Sequence, residues 1–388
     1  MGFVIAFMTG CRHCKECGEY HQGHSNNLSD DDSGTDELQD DDISDDDLND
    51  DDSGIDDDSI DDDTADDDSP SDDDSSDDDT VIDGFDWTKY TGSPAPGMAV
   101  MAAMSYDEMR QNIVLFSGGT GLSNETWLWD GTQWTKAQPT HSPAPRIGHG
   151  MAFDLAEEKI ILFCGASIIL YPRDTWAWDG NDWNKITTAH SPSGRAKFGM
   201  TYDRTREKIV VFGGCNGNPC ENAFSDTWVF NGSDWSQVST SNTPSERISP
   251  YMFFDEKLDK IILFGGLNDN GDLGDTWSFD GENWIQLLDG SKNSPDPRNA
   301  GACAYDPNRQ RGLIFGGEAG YMDFRNDTWQ WDGHKWQRLM PENAPHERNQ
   351  TCGAYHRDQD HFIIFGGFFA TDFLPMIFSD TWIYEYED

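Results

Sequence analysis

The sequence lacks any long apolar run and is poor in positive charge. No stretch of 18 or more consecutive apolar residues occurs among the 388 residues, so the sequence predicts no membrane-spanning helix. Lys and Arg together number 26 against 73 Asp and Glu, and the formal net charge is −47. Because a chain this acidic repels the phosphate backbone of nucleic acids, we expect no nucleic-acid partner.

Positive charge is missing most completely between residues 30 and 79. This tract contains 28 Asp, Glu37 and no Lys or Arg. Its Asp triplets alternate with Ser, Thr, Gly and an occasional Ile or Leu, a composition that buries too little apolar surface to offset the entropy of folding. We expect residues 12–81 to be a disordered spacer, Cys/His-containing at first and then Asp-rich. Calcium binding by the clustered carboxylates is its alternative role, although EF-hand spacing is missing, and we expect no other cofactor.

Residues 1–11 resemble the end of a bacterial lipoprotein signal. The apolar run stops at Cys11, and residues 8–11 (Met-Thr-Gly-Cys) would be the lipobox, with Cys11 as the lipidated residue. The positively charged start is absent and the apolar core is short, which a start codon assigned too far downstream would explain. This interpretation predicts export to a bacterial outer membrane or cell surface, with membrane contact only through the lipid; secretion is the alternative. A zinc site is also open, formed by Cys11, Cys14, Cys17, His13, His21 and His24.

A repeat of about 50 residues dominates the remainder of the chain. Each copy has an apolar strand ending in Phe-Gly-Gly, a variable loop, Asp-Thr-Trp, an Asp-Gly turn, a second Trp and Pro-x-x-Arg, with small departures in the first two copies. No segment with helical periodicity interrupts the copies. The first Trp of each copy is Trp127, Trp176, Trp228, Trp277, Trp329 or Trp382.

Each copy predicts four short antiparallel strands. The Asp-Gly or Asn-Gly pair between the last two strands supplies the positive φ angles of a tight hairpin turn. The sixth copy stops at Asp388, before its turn and outer strand. The missing piece lies at the other end, where residues 83–87 (Asp-Gly-Phe-Asp-Trp) match residues 130–134 (Asp-Gly-Thr-Gln-Trp). We therefore expect the N-terminal segment to be the outer strand of the last unit, which removes an open seam.

These motifs resemble the kelch-repeat β-propeller family, in particular its bacterial branch and the central domain of galactose oxidase-like proteins. The resemblance covers residues 82–388. It implies an all-β, six-bladed β-propeller, which the outer strand closes and the acidic tail precedes.

One Arg per unit precedes the innermost strand, except in the first unit, where Gly97 and Ala99 lie near that position. In the same five units an Asp stands two residues before the first Trp. Residues repeated together in this way predict structural ion pairs, and an anion-binding ring is the alternative. The predicted ring consists of Arg146, Arg195, Arg247, Arg298, Arg348, Asp174, Asp226, Asp275, Asp327 and Asp380.

The remaining polar residues indicate no catalytic or metal site. Some kelch-type propellers are enzymes, including copper-radical oxidases, which need a Cys-linked Tyr, and sialic-acid epimerases. Cys164, Cys303 and Cys352 lie in apolar strand sequence and are typical of small core residues. Cys215 and Cys220 bracket a short loop, and we expect them to form a disulfide in an oxidising compartment.

Loops that vary in length fall on one face of the predicted propeller, and several carry large apolar residues. We expect these to form a binding patch, with a plug over the central channel as the alternative. The predicted contact residues are Ile169, Tyr171, Tyr321, Phe324, Arg325, Phe368, Phe369 and Phe373. The expected function is a surface-tethered, monomeric, non-catalytic module that binds a protein or a glycan. Alternatives are an extracellular carbohydrate-active enzyme of the oxidase or epimerase type and a structural or calcium-dependent adhesin.

Overall fold

The computed structural model describes residues 80–388 except 82–83, 117–122, 168–169, 218–219, 293, 372–373 and 387–388. These residues form strands, turns and bends without a helix, so no helix in this part of the chain could cross a membrane. Residues 12–79 of the predicted spacer, the calcium and zinc alternatives and the predicted lipidation of Cys11 lie outside the described residues, whereas the last two residues of the predicted spacer, Thr80 and Val81, form a strand.

The strands form six blade sheets of a propeller, each with four antiparallel strands, and one of these sheets has an additional fifth strand. Before the first blade lie β1 (Thr80–Val81) and β2 (Phe85–Lys89). Blades one and two contain β3 (Ala103–Asp107), β4 (Asn112–Phe116), β5 (Thr126–Trp129), β6 (Trp134–Lys136), β7 (Gly150–Asp154), β8 (Lys159–Phe163), β9 (Thr175–Trp178) and β10 (Trp183–Ile186). Blade three contains β11 (Gly199–Asp203), β12 (Lys208–Phe212), β13 (Cys215–Asn216), β14 (Asn222–Ala223), β15 (Thr227–Phe230) and β16 (Trp235–Val238).

Blades four to six follow the same order from the central channel outward. They contain β17 (Tyr251–Asp255), β18 (Lys260–Asn268), β19 (Gly271–Phe279), β20 (Trp284–Leu288), β21 (Ala302–Asp306), β22 (Arg311–Glu318), β23 (Phe324–Trp331), β24 (Trp336–Leu339), β25 (Cys352–His356), β26 (His361–Phe365), β27 (Phe368–Ala370), β28 (Pro375–Ile377) and β29 (Thr381–Tyr386). Two of the loops that join the second and third strands of a blade contain a small hairpin. These hairpins are β13–β14 in blade three and β27–β28 in blade six.

The core lies between neighbouring blades and is built mainly from the second strand of each blade. In β4, the four residues from Ile113 to Phe116 are at most 1% exposed, because both faces of the sheet are covered. The glycines of the Phe-Gly-Gly motif, which follow the Phe of the second strand, are required because the backbone of the next blade packs closely there. A Cβ on Gly316 would lie 2.9 Å from the carbonyl oxygen of Arg348 in the next blade, and the residue has φ +66°.

The ring is closed by the N-terminal strand, as the sequence predicts. Strand β2 pairs antiparallel with β29 and completes blade six. A circle of six hydrogen bonds also runs through the closure, since the indole N–H of each outer-strand Trp donates to a Thr hydroxyl of the preceding blade at 2.8–3.0 Å. The pairs are Trp87 with Thr328, Trp134 with Thr381, Trp183 with Thr126, Trp235 with Thr175, Trp284 with Thr227 and Trp336 with Thr276. The predicted six-bladed, N-terminally closed propeller is thus confirmed.

One strand was not expected from the sequence. Strand β1 adds a fifth strand to blade five by pairing in parallel with β24, with Thr80 opposite Arg338 and Val81 opposite Leu339. The chain that follows the acidic tract is therefore attached to the propeller on the outer edges of two blades.

Candidate functional site

The two faces of the propeller differ in their connections. The short-turn face carries the turns between strands one and two and between strands three and four of each blade. The variable-loop face carries the loops between strands two and three and the segments that join one blade to the next. A central channel of about 310 Å³ runs between the faces and is lined by the innermost strands β3, β7, β11, β17, β21 and β25.

Four charged side chains cross the channel at the short-turn face. Arg204 pairs with Glu108 and, at 3.4 Å, with Glu256; Arg357 pairs with the same two carboxylates, at 3.4 Å from Glu108. Two cations and two anions from four blades thus neutralise each other across this opening.

Towards the variable-loop face, the channel narrows at a ring of backbone hydrogen bonds. One residue per blade has φ between 51° and 62°, and its N–H donates to the carbonyl of the equivalent residue in the preceding blade at 2.5–3.0 Å. The ring closes through the N–H of Met101 and the carbonyl of Gln350. Its members are Met101, Gly148, Lys197, Ser249, Ala300 and Gln350. Their residue types have nothing in common, so the sequence carried no signal for this ring.

Above this ring lies an apolar cluster. Phe324 and Phe368 are 6% and 2% exposed and pack with Ile147, Ala166 and Ala196 from other blades. Tyr171 and Phe369 are partly buried against the same cluster. Phe324 and Phe368 therefore belong to this buried cluster, the plug of the alternative prediction, and their burial leaves a ligand little surface to contact.

Other apolar side chains on this face are exposed to solvent. Tyr321 is 74% exposed, in the loop between the second and third strands of blade five. The others are Met98, Leu170, Met340, Leu374 and Met376, with exposures from 42% to 69%. Among the described residues, Met109 is the large apolar side chain exposed on the short-turn face. Two more, Ile285 and Leu287, are exposed on the outer strand β20. Of these nine exposed large apolar side chains in the described part of the chain, six thus lie on the variable-loop face.

The other predicted contact residues are Ile169, Phe373 and Arg325. Ile169 and Phe373 lie outside the described residues. Arg325 is 28% exposed, and its guanidinium pairs with Asp323 at 2.6 Å and with Asp296 at 3.2 Å, so its charge is already compensated.

Each repeated Arg lies against the Asp of its own blade. In blade four, Arg247 makes two hydrogen bonds of 2.6 and 3.0 Å to Asp275 and a third of 3.0 Å to the Gly265 carbonyl. Arg247 is fully buried, and the indole N–H of Trp277 also donates to Asp275. The same arrangement recurs for Arg146 with Asp174, Arg195 with Asp226, Arg298 with Asp327 and Arg348 with Asp380, at 2.5–2.7 Å.

Burial raises the pKa of Asp275, but the hydrogen bonds and charge of Arg247 outweigh burial and bring that pKa below its ordinary value. Blade one lacks this Arg–Asp pair. Ala99 lies at the Arg position and is 4% exposed, and Glu125 at the Asp position pairs with the partly exposed Lys136 at 2.5 Å.

Cys215 and Cys220 are joined in a disulfide, with their Cα atoms 5.4 Å apart, and both are buried. The Tyr171 hydroxyl of blade two donates to the Gly217 carbonyl inside this loop at 2.6 Å. The disulfide therefore shapes a loop that also supports a predicted contact residue.

Replacing Cys215 and Cys220 together by Ser is expected to lower the free energy of unfolding by about 2 kcal/mol. The loss is modest because closing a loop this short removes little entropy from the unfolded chain. Urea denaturation of oxidised protein measures the effect. Reductant should lower the stability of the unmodified protein to that of the variant and leave the variant unchanged. Equal stability of the two oxidised proteins would contradict a stabilising disulfide.

The other cysteines and the loop histidines do not come together. Burial raises the pKa of Cys303 to about 11 and the pKa values of Cys164 and Cys352 to about 12. His141 and His190 bind separate Asp residues. In the part of the chain that the structure describes, no three His, Cys, Asp or Glu side chains are grouped as metal ligands.

The fold and its repeated Arg–Asp and Trp–Thr contacts define a β-propeller with a loop-bearing face. A family model described as the KLHDC2/KLHL20/DRC7 Kelch-repeats domain matches residues 231–388. The solved structure titled "Structure of YjhT" is similar over 74% of this chain and 99% of that one, with a TM-score of 0.55 and 16% identity, a likeness that shows the fold alone. A comparison with curated proteins finds no match. The propeller is of the kelch-repeat type, as its motifs imply.

Proposed function

We propose that this protein is a non-catalytic binding module that captures a protein or glycan on its variable-loop face. The observation that carries the proposal is the uneven distribution of exposed apolar side chains. Tyr321, Leu374 and Met376 are exposed on the loop-bearing face, and side chains of this size are uncommon at a surface that contacts only water when they are grouped. Large apolar and aromatic residues are also the usual centres of binding energy.

The closed construction of the ring supports the same function. Six hydrogen-bonded Trp–Thr pairs, five buried Arg–Asp pairs and the backbone ring hold the blades in place, so the loops stand on a rigid support. Loops on a rigid scaffold bind with less loss of conformational entropy. The proposed setting is a bacterial surface, with Cys11 as the lipid-modified residue and residues 12–81 as the spacer.

Leu374→Ala and Met376→Ala are expected to weaken ligand capture at least fivefold while changing the free energy of unfolding by less than about 0.5 kcal/mol. The full chain would be screened on a glycan array and against purified envelope and host-surface proteins, with and without calcium. Affinities of the variants for the best ligand then test the face.

Met109→Ala is the matched control, because this side chain is 51% exposed on the short-turn face. Equal losses from Met109→Ala would place the ligand elsewhere. Turnover of a bound glycan would replace the binding function by the enzymatic alternative.

A further inference from the structure

Tyr321 is presented by a turn that is held on both sides. The N–H of Gly320, which precedes it, donates to Oδ2 of Asp272 at 2.7 Å. The N–H of Met322, which follows it, donates to Oε1 of Glu318 at 2.9 Å. Met322 has φ +59°, a left-handed conformation that a non-glycine residue adopts only when its surroundings impose it. The exposed tyrosine thus lies on an ordered turn.

The two carboxylates are themselves held by residues of neighbouring blades. The side-chain amide of Asn299 donates to Oδ1 of Asp272 at 2.6 Å, and the side-chain amide of Asn349 donates to Oε2 of Glu318 at 2.6 Å. Asp272 belongs to blade four, and Asn349 to the segment entering blade six. Three blades therefore contribute to holding one surface turn.

Burying these carboxylates is costly. Glu318 is 8% exposed, and burial raises the pKa values of both Glu318 and Asp272. Charged groups are buried in proteins only when hydrogen bonds compensate their lost hydration. Here the carboxylates accept two hydrogen bonds from the backbone amides that flank Tyr321, so this arrangement orders the backbone that carries a side chain 74% exposed.

The charge beside the turn is negative. Arg325 pairs with Asp323 and Asp296, which leaves one excess carboxylate in this exposed group. The polar side chains beneath the turn are bonded to one another and not directed outward, whereas a glycan site needs outward hydrogen-bonding groups. An apolar surface with nearby Lys or Arg would fit both Tyr321 and its acidic border.

Resting on the proposed binding function, we propose that Tyr321 is the pre-ordered anchor of a protein-docking site and that Asp272 and Glu318 are its positioning residues. The partner presents apolar side chains next to Lys or Arg. Rigid aromatic anchors of this kind contribute large contact area at low entropic cost.

Hydrogen exchange of the full-length protein tests the positioning roles without a ligand. Asp272→Ala should speed exchange of the Gly320 amide at least tenfold, and Glu318→Ala should do the same for Met322. Glu318→Gln should recover part of the protection at Met322, since its amide oxygen still accepts a hydrogen bond. Tyr321→Ala should leave both rates within about twofold. Amides of β17 and β18 serve as the internal control for global unfolding. Unchanged exchange at Gly320 and Met322 in both alanine variants would overturn the positioning roles, whatever the ligand.

The partner class is tested with a displayed random peptide library and a glycan array, both applied to the full chain. Selected peptides should combine aliphatic residues with Lys or Arg, lose at least tenfold in affinity on Tyr321→Ala, and lose at least threefold on Glu318→Ala. Asp323→Asn should weaken only the peptides that carry Lys or Arg. Binding lost on Leu374→Ala but unaffected by Tyr321→Ala would overturn the anchor role while the proposed function stands. A glycan that depends on Tyr321 would overturn the protein assignment.

Discussion

Replacing Trp87 by Ala is expected to lower the free energy of unfolding by about 3–5 kcal/mol, although Trp87 lies in the outer strand of blade six, whose last strand ends about 300 residues later. Trp87 is 2% exposed, and its indole donates to Thr328 at 3.0 Å. Its ring packs 5.0 Å from Phe315 and 5.1 Å from Tyr384. Chemical denaturation of the full chain, followed by circular dichroism, measures the change.

Trp134→Ala is the matched control, because Trp134 has the same position in blade one and donates to Thr381 across the next interface, between blades six and one. Similar losses are expected from the two variants. Deleting residues 84–90 should abolish cooperative unfolding, whereas deleting residues 18–79 should leave the melting transition nearly unchanged. If Trp87→Ala and the 84–90 deletion were both without effect, closure by β2 would be contradicted.

The blades were predictable because their determinants are local and repeated. The Asp-Gly or Asn-Gly pair forms the same turn between the third and fourth strands of blades one to five; in blade one, Asp130 accepts hydrogen bonds from the amides of Thr132 and Gln133, and Gly131 has φ +97°. The first Trp of each unit marks the third strand because it also recurs at the same position in every unit. Closure was predictable because the unit missing from the end of the chain occurs near its beginning.

The interior of the channel was not predictable from the sequence. The backbone ring depends on main-chain hydrogen bonds, which place few demands on residue type, so Lys197 and Gly148 occupy equivalent positions. The charged ring formed by Glu108, Arg204, Glu256 and Arg357 contains no residue from blades two and five. A weak signal existed, since each member directly follows the last residue of an innermost strand.

The loops show a further limit of sequence analysis. Residues 368–378 are mostly apolar, yet the side chains of their described members are divided between core and solvent. In the β27–β28 hairpin, Phe368 lies opposite Ile377 and Phe369 opposite Met376. Successive side chains of a strand point to opposite faces, so Phe368 enters the plug while Met376 stays 42% exposed. Composition predicts an apolar loop, but the direction in which the hairpin projects decides which residues a ligand can contact.

The blade-one departure shows that an Arg–Asp pair is dispensable where the surrounding residues are adapted. Ala99 occupies the Arg position, is nearly fully buried, and accepts a hydrogen bond at its carbonyl from Gly367 at 2.8 Å. In the other blades the guanidinium is buried and the carboxylate beside it is only 11–23% exposed, so removing the Arg alone leaves a poorly hydrated charge without its partner.

Arg247→Met is therefore expected to lower the free energy of unfolding by about 3 kcal/mol, because the carboxylate of Asp275, whose side chain is 16% exposed, loses its charged partner. The combined change Arg247→Met with Asp275→Leu should recover most of the loss. Lys136→Met, which breaks the partly exposed pair with Glu125, should cost less than about 1 kcal/mol and serves as the control. Denaturation at neutral pH compares the variants.

The pH dependence separates a structural pair from an anion site. The folded pKa of Asp275 lies below its unfolded value of about 3.9, so the stabilisation it contributes is present above about pH 4 and is lost as the pH falls towards the folded pKa. Arg247→Met removes that stabilisation, and this variant should lose less stability than the unmodified protein on acidification below pH 4. An anion-binding ring would instead give Arg247→Met near-normal stability and abolish stabilisation by added phosphate. Since Arg247 is fully buried and already bonded to Asp275 and the Gly265 carbonyl, we expect phosphate to have no effect on either protein.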